Sequence, residues 1–495
     1  MVTAADGVSG AVPDPAPRGG TSSPVPRIVI AAPASGHGKT TVATGLIAAF
    51  TRAGRRVAPF KVGPDYIDPG YHALAANIGS GSGGAPIPGR NLDPFLVGEE
   101  RVRDLFAYGS RGADLAVVEG VMGLYDGAVG RGEFASTAHV AHLIDAPLIL
   151  VVDAAAQGRS VAALVHGFRS FDPALRLAGV ILNRVGSERH RAILAEALDG
   201  IGVPVLGSLY RSDAVAAPSR HLGLVPVAER APQSLAAVDA LADLVKSSID
   251  LDAVERAARQ AAALPTRDWT PQSAFDDVEV GHTPGTGKRP VVALAAGAAF
   301  TFSYAEHAEL LTAAGAQVAP FDPLRDESLP EGTRALVIGG GFPEVYAPQL
   351  SDNRPLREAV ATLAREGGVI AAECAGLLYL AESLDGAPMC GVLPAKAAMT
   401  DRLTLSYREA VAPTDNVLCD AGSRVAGHEF HRTRLESSAG QLPAWIWGAD
   451  AATVAASGVR QASDGFVIGH VHASYLHTHW AGTPSIAWRI VEAAR

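Results

Sequence analysis

Two successive rhythms of apolar and polar positions run along the chain. Between residue 27 and about residue 250, short apolar runs alternate with longer Ala/Leu-rich stretches of helical spacing. RIVIAA (27–32), RVAPFKV (56–62), LAVVEG (115–120), LILVVD (148–153), LAGVILN (177–183) and VPVLGSL (203–209) are continuously apolar rather than alternating. Such runs separated by helices predict a parallel sheet covered on both faces. A helical piece follows over 235–264, and residues 265–289 are polar, aperiodic and rich in Pro and Gly, which predicts a linker. The second rhythm begins at VVALAA (291–296) and continues through AQVAPF (316–321), RALVIGGG (334–341) and GGVIAAEC (367–374). It ends in strand-rich sequence through FVIGHVHASYLHTHW (466–480). The expected organisation is a disordered tail over 1–26, an α/β domain over 27–264, the linker, and a second α/β domain over 290–490.

Composition narrows the function classes. The 495 residues are 48% hydrophobic and 19% charged, which is globular, and too long for a single ordinary core. A net charge of −10 argues against a nucleic-acid partner, which would need a basic face. Cys374, Cys390 and Cys419 cannot frame a disulfide scaffold in a chain of this length, so a reducing compartment is expected. The first 26 residues carry no apolar core segment, so neither a signal peptide nor an anchor is expected. The run APLILVVDAAA (146–156) is far short of the roughly 20 residues that span a membrane. The expectation is a soluble, cytoplasmic protein without a membrane partner.

The first candidate chemistry lies in AAPASGHGKTTVATGL (31–46), directly after the apolar IVI. Gly36 and Gly38 allow successive N–H groups to turn inward on phosphate oxygens; Lys39 adds a charge, and Thr40 offers a hydroxyl to Mg²⁺. A strand before and a helix after distinguish this from an ordinary Gly-rich turn, although Pro33 stands where the usual pattern has its first Gly. Two neighbouring strand ends carry carboxylates: KVGPDYIDPGYH (61–72), with Lys61, Asp65 and Asp68, and VVEGVMGLYDG (117–127), with Glu119 and Asp126. Carboxyl ends of parallel strands line the crevice where open α/β sheets bind ligands. These side chains are candidates for metal or substrate, with capping of Asp-Pro and Asp-Gly turns as the alternative.

In the second half, AAECAGLLYL (371–380) puts Cys374 between an apolar strand and a Leu-rich helix, the place where a nucleophile is lifted out of a sheet. A lone cysteine is usually packing. Here VIGGGFPE (337–344) supplies a Gly-rich strand end, with Gly340 and Gly341 as oxyanion donors, and HASYLHTHW (472–480) supplies histidines downstream. His470 and His472 share one strand face and His477 and His479 the other, so a four-histidine metal cage is not expected.

These motifs together resemble one family. The phosphate loop, KVGPDYIDPGYH, RNLDPF (90–95) and EGVMGLYDG look like the ATP-dependent half of the cobyrinic/hydrogenobyrinic acid a,c-diamide synthases, which is similar to dethiobiotin synthetase. GGGFPEVYA (339–347), AECAGLLYL, MTDRLTLSYREA (399–410), GHEFHRT (427–433) and HASYLHTHW look like its class I glutamine amidotransferase half, a flavodoxin-like α/β domain. The resemblance covers about residues 27–490. It implies glutamine-dependent amidation of the a and c acetate side chains of a corrin ring, with hydrogenobyrinic acid favoured over cobyrinic acid as substrate on the high-GC character of the composition.

Carried over, Cys374 hydrolyses L-glutamine with His477 as base; Gly36, Gly38, Lys39, Thr40 and Thr41 hold ATP; Thr40, Asp65 and Glu119 hold Mg²⁺; Asp68, Asp126 and Tyr66 bind the corrin polycarboxylate. Arg90, Arg402 and Arg408 are further candidates for its carboxylates. Two departures stand out: Ala375 replaces the first Gly of the usual Cys-Gly-Gly, and His479 occupies the position of the third triad member. Competing readings are another amidotransferase, such as one acting on nickel-sirohydrochlorin, a stand-alone glutaminase, and a non-enzymatic ATP switch. A homodimer is the ordinary prior.

Overall fold

The computed structural model describes residues 25–79, 85–211, 231–276, 289–449 and 460–495. Most of the expected tail and the middle of the expected linker lie outside the described residues.

The first rhythm forms a seven-stranded parallel sheet. Its strands are β1 (Arg27–Ala31), β2 (Val57–Val62), β3 (Arg90–Leu92), β4 (Leu115–Glu119), β5 (Leu148–Asp153), β6 (Leu177–Val185) and β7 (Val205–Tyr210), in spatial order β3-β2-β4-β1-β5-β6-β7. Continuous apolarity follows from burial on both faces: Ile28 and Ile30 enter one core, Val29 and Ala31 the other. Helix α1 (Lys39–Arg52) follows the phosphate loop, α2 (Ile67–Ala76) follows β2, and α3 (Ala231–Ser248) packs on α1. Gly45 makes that approach close, since a Cβ there would lie 2.4 Å from Val245 Cγ2. Strand β3 is short and polar and escapes the apolar pattern.

The second rhythm forms a six-stranded sheet: β8 (Val291–Ala295), β9 (Gln317–Phe321), β10 (Thr333–Ile338), β11 (Val369–Glu373), β14 (Phe466–Ile468) and β15 (Val471–Ser474), in order β14-β15-β11-β10-β8-β9. All neighbours are parallel except β14 and β15. Helix α4 (Ala305–Ala313) follows β8 and α5 (Ala375–Leu380) follows β11. A separate sheet is built on a long hairpin, β12 (Lys396–Val411) and β13 (Arg424–Leu435), to which β16 (His477–Thr478) adds.

Two expectations need adjusting. The strand expected to reach Gly341 ends at Ile338, and Gly340 instead pairs with Phe302 by two backbone hydrogen bonds of 3.0 Å. The described first part of the expected linker is packed: Trp269 is buried, edge-on to Tyr108 at 5.2 Å, and its carbonyl accepts from Arg111 at 2.9 Å. One aromatic side chain with a surface to bury is enough to order a polar, Pro-rich segment.

Candidate active sites

The phosphate loop leaves β1 and closes at Gly38, the residue preceding α1. Gly38 has φ of 96°, and a Cβ there would lie 2.2 Å from Asn183 Nδ2, so only glycine fits. Asn183, from the end of β6, holds the loop by donating to the His37 carbonyl at 2.9 Å. The free N–H groups at the start of α1 make an anion seat. Lys39 is folded back: its Nζ donates to the carbonyls of Ala34 at 3.2 Å and Met122. Burial, with Lys61 next, lowers its pKa to about 8 against the opposing pull of Glu119, Asp68 and Asp126.

Beside the loop, β2 and β4 bring Lys61 and Glu119 into register as direct neighbours. Lys61 Nζ bridges Asp68 at 2.6 Å and Glu119 at 2.9 Å, with Asp65 at 3.8 Å. Thr40 Oγ1 donates to Glu119 at 2.6 Å and lies 3.3 Å from Asp68; His72 Nε2 meets Glu119 at 2.6 Å. Burial alone would push the Glu119 carboxyl up, but Lys61, His72 and Thr40 outweigh it and hold it below the carboxylate range. Among the described residues no three acidic, His or Cys side chains form a ready-made metal cage. The donor set nevertheless fits Mg²⁺ carried in with phosphates, which uses one or two protein oxygens and keeps the rest for phosphate and water. Thr40 Oγ1 and Glu119 are placed for it, and Asp68 Oδ1 is buried without a hydrogen-bond partner among the described residues.

In the other half, Cys374 sits between β11 and α5 at φ 49°, ψ −98°, a strained elbow for a non-glycine residue. It is only 3% exposed, and its thiol lies 3.8 Å from the Phe430 carbonyl. Burial, then the charge of Glu344, pushes its pKa up, so the thiol is protonated here. His477 is fully buried; its ring stacks on His428 at 4.9 Å, and neither ring nitrogen finds a hydrogen-bond partner among the described residues. Burial, followed by His428, His431 and His307, keeps it neutral. The structure thus brings Cys374 and His477 into one buried region without hydrogen-bonding them to each other. His479 does not orient His477 either: it stacks on Tyr304 at 4.1 Å, with Nε2 3.7 Å from Glu306 Oε2.

Several expected roles meet other partners. Tyr66 crosses the junction of the halves, stacked on Phe302 at 5.1 Å and tilted against Tyr304 at 4.7 Å and His477 at 5.2 Å. Asp126 is exposed and accepts from Gly123 N at 2.8 Å, the turn-capping alternative. Gly340 does not offer its N–H to an oxyanion, because that group is donated to Phe302; Gly341 is held by a close approach to the Ala299 carbonyl, where a Cβ would lie 2.2 Å away. Arg90 is no free carboxylate receptor: it forks onto Glu306 and Glu309 of α4, each at 2.6 Å. Arg408 is paired with Glu429 at 2.6 Å, while Arg402 is exposed. Sequence reasoning missed His72, Asn183, His428 and Glu306. His72 at least lay inside the singled-out KVGPDYIDPGYH.

Comparison with known proteins bears on this pair of sites. Residues 28–225 match the CobQ/CobB/MinD/ParA nucleotide-binding domain, and residues 291–485 the CobB/CobQ-like glutamine amidotransferase domain. The chain is 57% identical to the hydrogenobyrinate a,c-diamide synthase of Streptomyces coelicolor, over 96% of this chain and 99% of that one. The chain belongs to the a,c-diamide synthase family. The hydrogenobyrinate enzyme of Mycobacterium tuberculosis is 52% identical, over 95% of this chain and 98% of its own length. The cobyrinate a,c-diamide synthase of Synechococcus is 39% identical, over 94% and 98%. The two α/β halves are therefore a nucleotide-binding domain and a glutamine amidotransferase domain. No described helix is long and apolar enough to cross a membrane.

Proposed function

We propose that this chain amidates the a and c carboxylates of hydrogenobyrinic acid, using ATP to activate each carboxylate and L-glutamine as nitrogen source. The observation that carries the substrate is the 57% identity to a hydrogenobyrinate enzyme over nearly the whole of both chains, against 39% for the cobyrinate enzyme of Synechococcus. The reading includes a cytoplasmic location, and a homodimer as the ordinary arrangement.

A carboxylate does not react with ammonia near neutral pH because oxide is too poor a leaving group. In the nucleotide half, a substrate carboxylate oxygen takes the γ-phosphoryl group of ATP, giving an acyl phosphate and ADP. The N–H groups at the start of α1 and of Gly36–Gly38 cradle the phosphates, and Lys39 swings from the Ala34 and Met122 carbonyls to the transferring group. Thr40, Glu119 and Asp65 are the residues to hold Mg²⁺, which neutralises phosphate charge when bound. Lys61 holds Glu119 ionised, while burial and then the Glu119 charge push the Asp68 carboxyl up against the pull of Lys61. Asp68, in the first turn of α2, stands next to the substrate carboxylate.

In the amidotransferase half, the thiol of Cys374 passes its proton to neutral His477 and attacks the glutamine amide carbonyl. The oxyanion is stabilised by N–H groups of the Gly341 turn and of Ala375, at the start of α5. Collapse gives a thioester and releases ammonia, taking the proton from His477; water then frees glutamate. Generated in this dry region, ammonia travels as the neutral nucleophile, displaces phosphate from the acyl phosphate and leaves the amide. The test presents hydrogenobyrinic and cobyrinic acids in competition with ATP, Mg²⁺ and glutamine and follows product masses. Diamide formed chiefly on the metal-free ring is expected; preference for the cobalt ring would overturn the substrate.

A further inference from the structure

Tyr66 is carried by the nucleotide half yet packs on the base of the other half. Its backbone is tied on both sides. Asp65 Oδ1 accepts from the N–H groups of Ile67 at 2.8 Å and Asp68 at 3.1 Å, and the Asp65 carbonyl accepts from Asn91 at 2.7 Å. Two residues on, Asp68 is bound to Lys61 at 2.6 Å and lies 3.3 Å from the phosphate-loop hydroxyl of Thr40. On its far side the ring fills a wall made by Phe302, Tyr304, His428 and His477. Among the described residues His477 has Tyr66 and His428 as aromatic neighbours of this kind, and of these Tyr66 comes from the nucleotide half.

The glutaminase is shut in this arrangement. Cys374 is 3% and His477 0% exposed, and neither ring nitrogen of His477 has a hydrogen-bond partner among the described residues. Glutamine cannot reach the buried sulfur, nor His477 take its proton, unless the packing around them opens, and the Tyr66 ring is part of the packing on His477. A phosphate–cation pair that recruits Thr40 and Glu119 competes with their contacts to Asp68 and Lys61. Any shift of Asp68 is transmitted to Tyr66 through the hydrogen-bonded turn between them. A ligand shifts such an equilibrium by its differential affinity for the two arrangements, and here that difference has a physical source.

We infer that Tyr66 is a positioning residue for glutamine hydrolysis: its ring holds His477 off Cys374, and filling of the Thr40–Asp68–Glu119 crevice withdraws it. The inference rests on the ATP- and glutamine-dependent reading above. It assigns Tyr66 a task in the half to which it does not belong by sequence.

The test measures glutamate release by the full chain, alone and with ATP, Mg²⁺ and hydrogenobyrinic acid, for the wild type, Tyr66→Ala and Tyr66→Phe. In the wild type the additions should stimulate release roughly tenfold, within the ordinary range of coupling between sites. Tyr66→Ala should hydrolyse glutamine fast without them, bringing the stimulation ratio near one. Tyr66→Phe keeps the ring and should keep the wild-type ratio. An unchanged ratio in Tyr66→Ala would overturn the inference. Should Tyr66→Ala fail to fold, alkylation of wild-type Cys374 by 6-diazo-5-oxo-norleucine is the second measurement. Acceleration by ATP, Mg²⁺ and corrin supports the inference, and equal rates with and without them overturn it. Failure of the underlying reading looks different: the wild type would then make no amide from the corrin at all.

Discussion

At the carboxyl ends of β1, β2 and β4, Lys61, Asp65, Asp68 and Glu119 share one crevice as an ion-paired cluster, with Lys39 beside them on the Ala34 and Met122 carbonyls. At the carboxyl end of β11, Cys374 and His477 are buried and uncharged, and their side chains are not hydrogen-bonded to each other. Both are strand-end crevices of parallel sheets, so the contrast comes from side chains. The nucleotide site must stabilise a highly charged transition state, and preset charges cost no reorganisation at the moment of reaction. On the proposed reading the glutamine site must not waste glutamine, and a protonated Cys374 thiol not hydrogen-bonded to His477 would be inert until something rearranges it.

The strongest way to separate the two sites is Cys374→Ala. Glutamine-dependent amidation should fall on the order of 10³-fold or more, while amidation fed with an ammonium salt persists, both read as product formed. Loss of both activities together would mean that the elbow also supports the nucleotide site. The mirror-image change, Lys39→Ala, should lower ammonium-fed and glutamine-fed amidation alike by roughly 10²–10³-fold, as removal of one preset charge-stabilising donor does. Its alkylation at Cys374 should remain.

The seam between the sites is the next target. Arg90→Ala strands Glu306 as a buried carboxylate without its cation, a change that costs about 3–5 kcal/mol in comparable pairs. A lowered urea midpoint is expected, with partial rescue by adding Glu306→Gln. The smallest effect concerns pH. The pKa of Lys39 is lowered to about 8, so above that pH it is increasingly neutral and must take up a proton to meet a phosphate. ATP affinity should be flat below about pH 8 and weaken by up to roughly tenfold per unit above it, with proton uptake on binding in calorimetry. A flat affinity to pH 9.5 would place Lys39 away from the phosphates.

The contrast was unevenly legible in the sequence. The phosphate loop, the carboxylate-bearing strand ends and the cysteine elbow are local arrangements, in which backbone and chemistry lie within a dozen residues, and they read directly. Partners brought together by docking did not. Arg90 looked like a carboxylate receptor because Glu306 is 216 residues away. Tyr66 looked like a substrate contact because its neighbours Phe302, Tyr304 and His477 all come from the other half. The hairpin of β12 and β13 has register slippage between Met399 and Thr404 and mixed exposure, so neither period shows clearly. The oxyanion role given to Gly340 failed on a hydrogen bond to Phe302 that no spacing could reveal.

The central claim is that phosphate from one site and nitrogen from the other meet on a single carboxylate carbon. The most direct measurement uses hydrogenobyrinic acid labelled with ¹⁸O in its carboxylates, together with ATP and amide-¹⁵N glutamine, and follows both labels by mass spectrometry. An acyl phosphate requires one ¹⁸O to leave with inorganic phosphate for every ¹⁵N gained as amide, and that one-to-one ratio is the predicted result. Amide formation with no ¹⁸O in the phosphate would contradict the account.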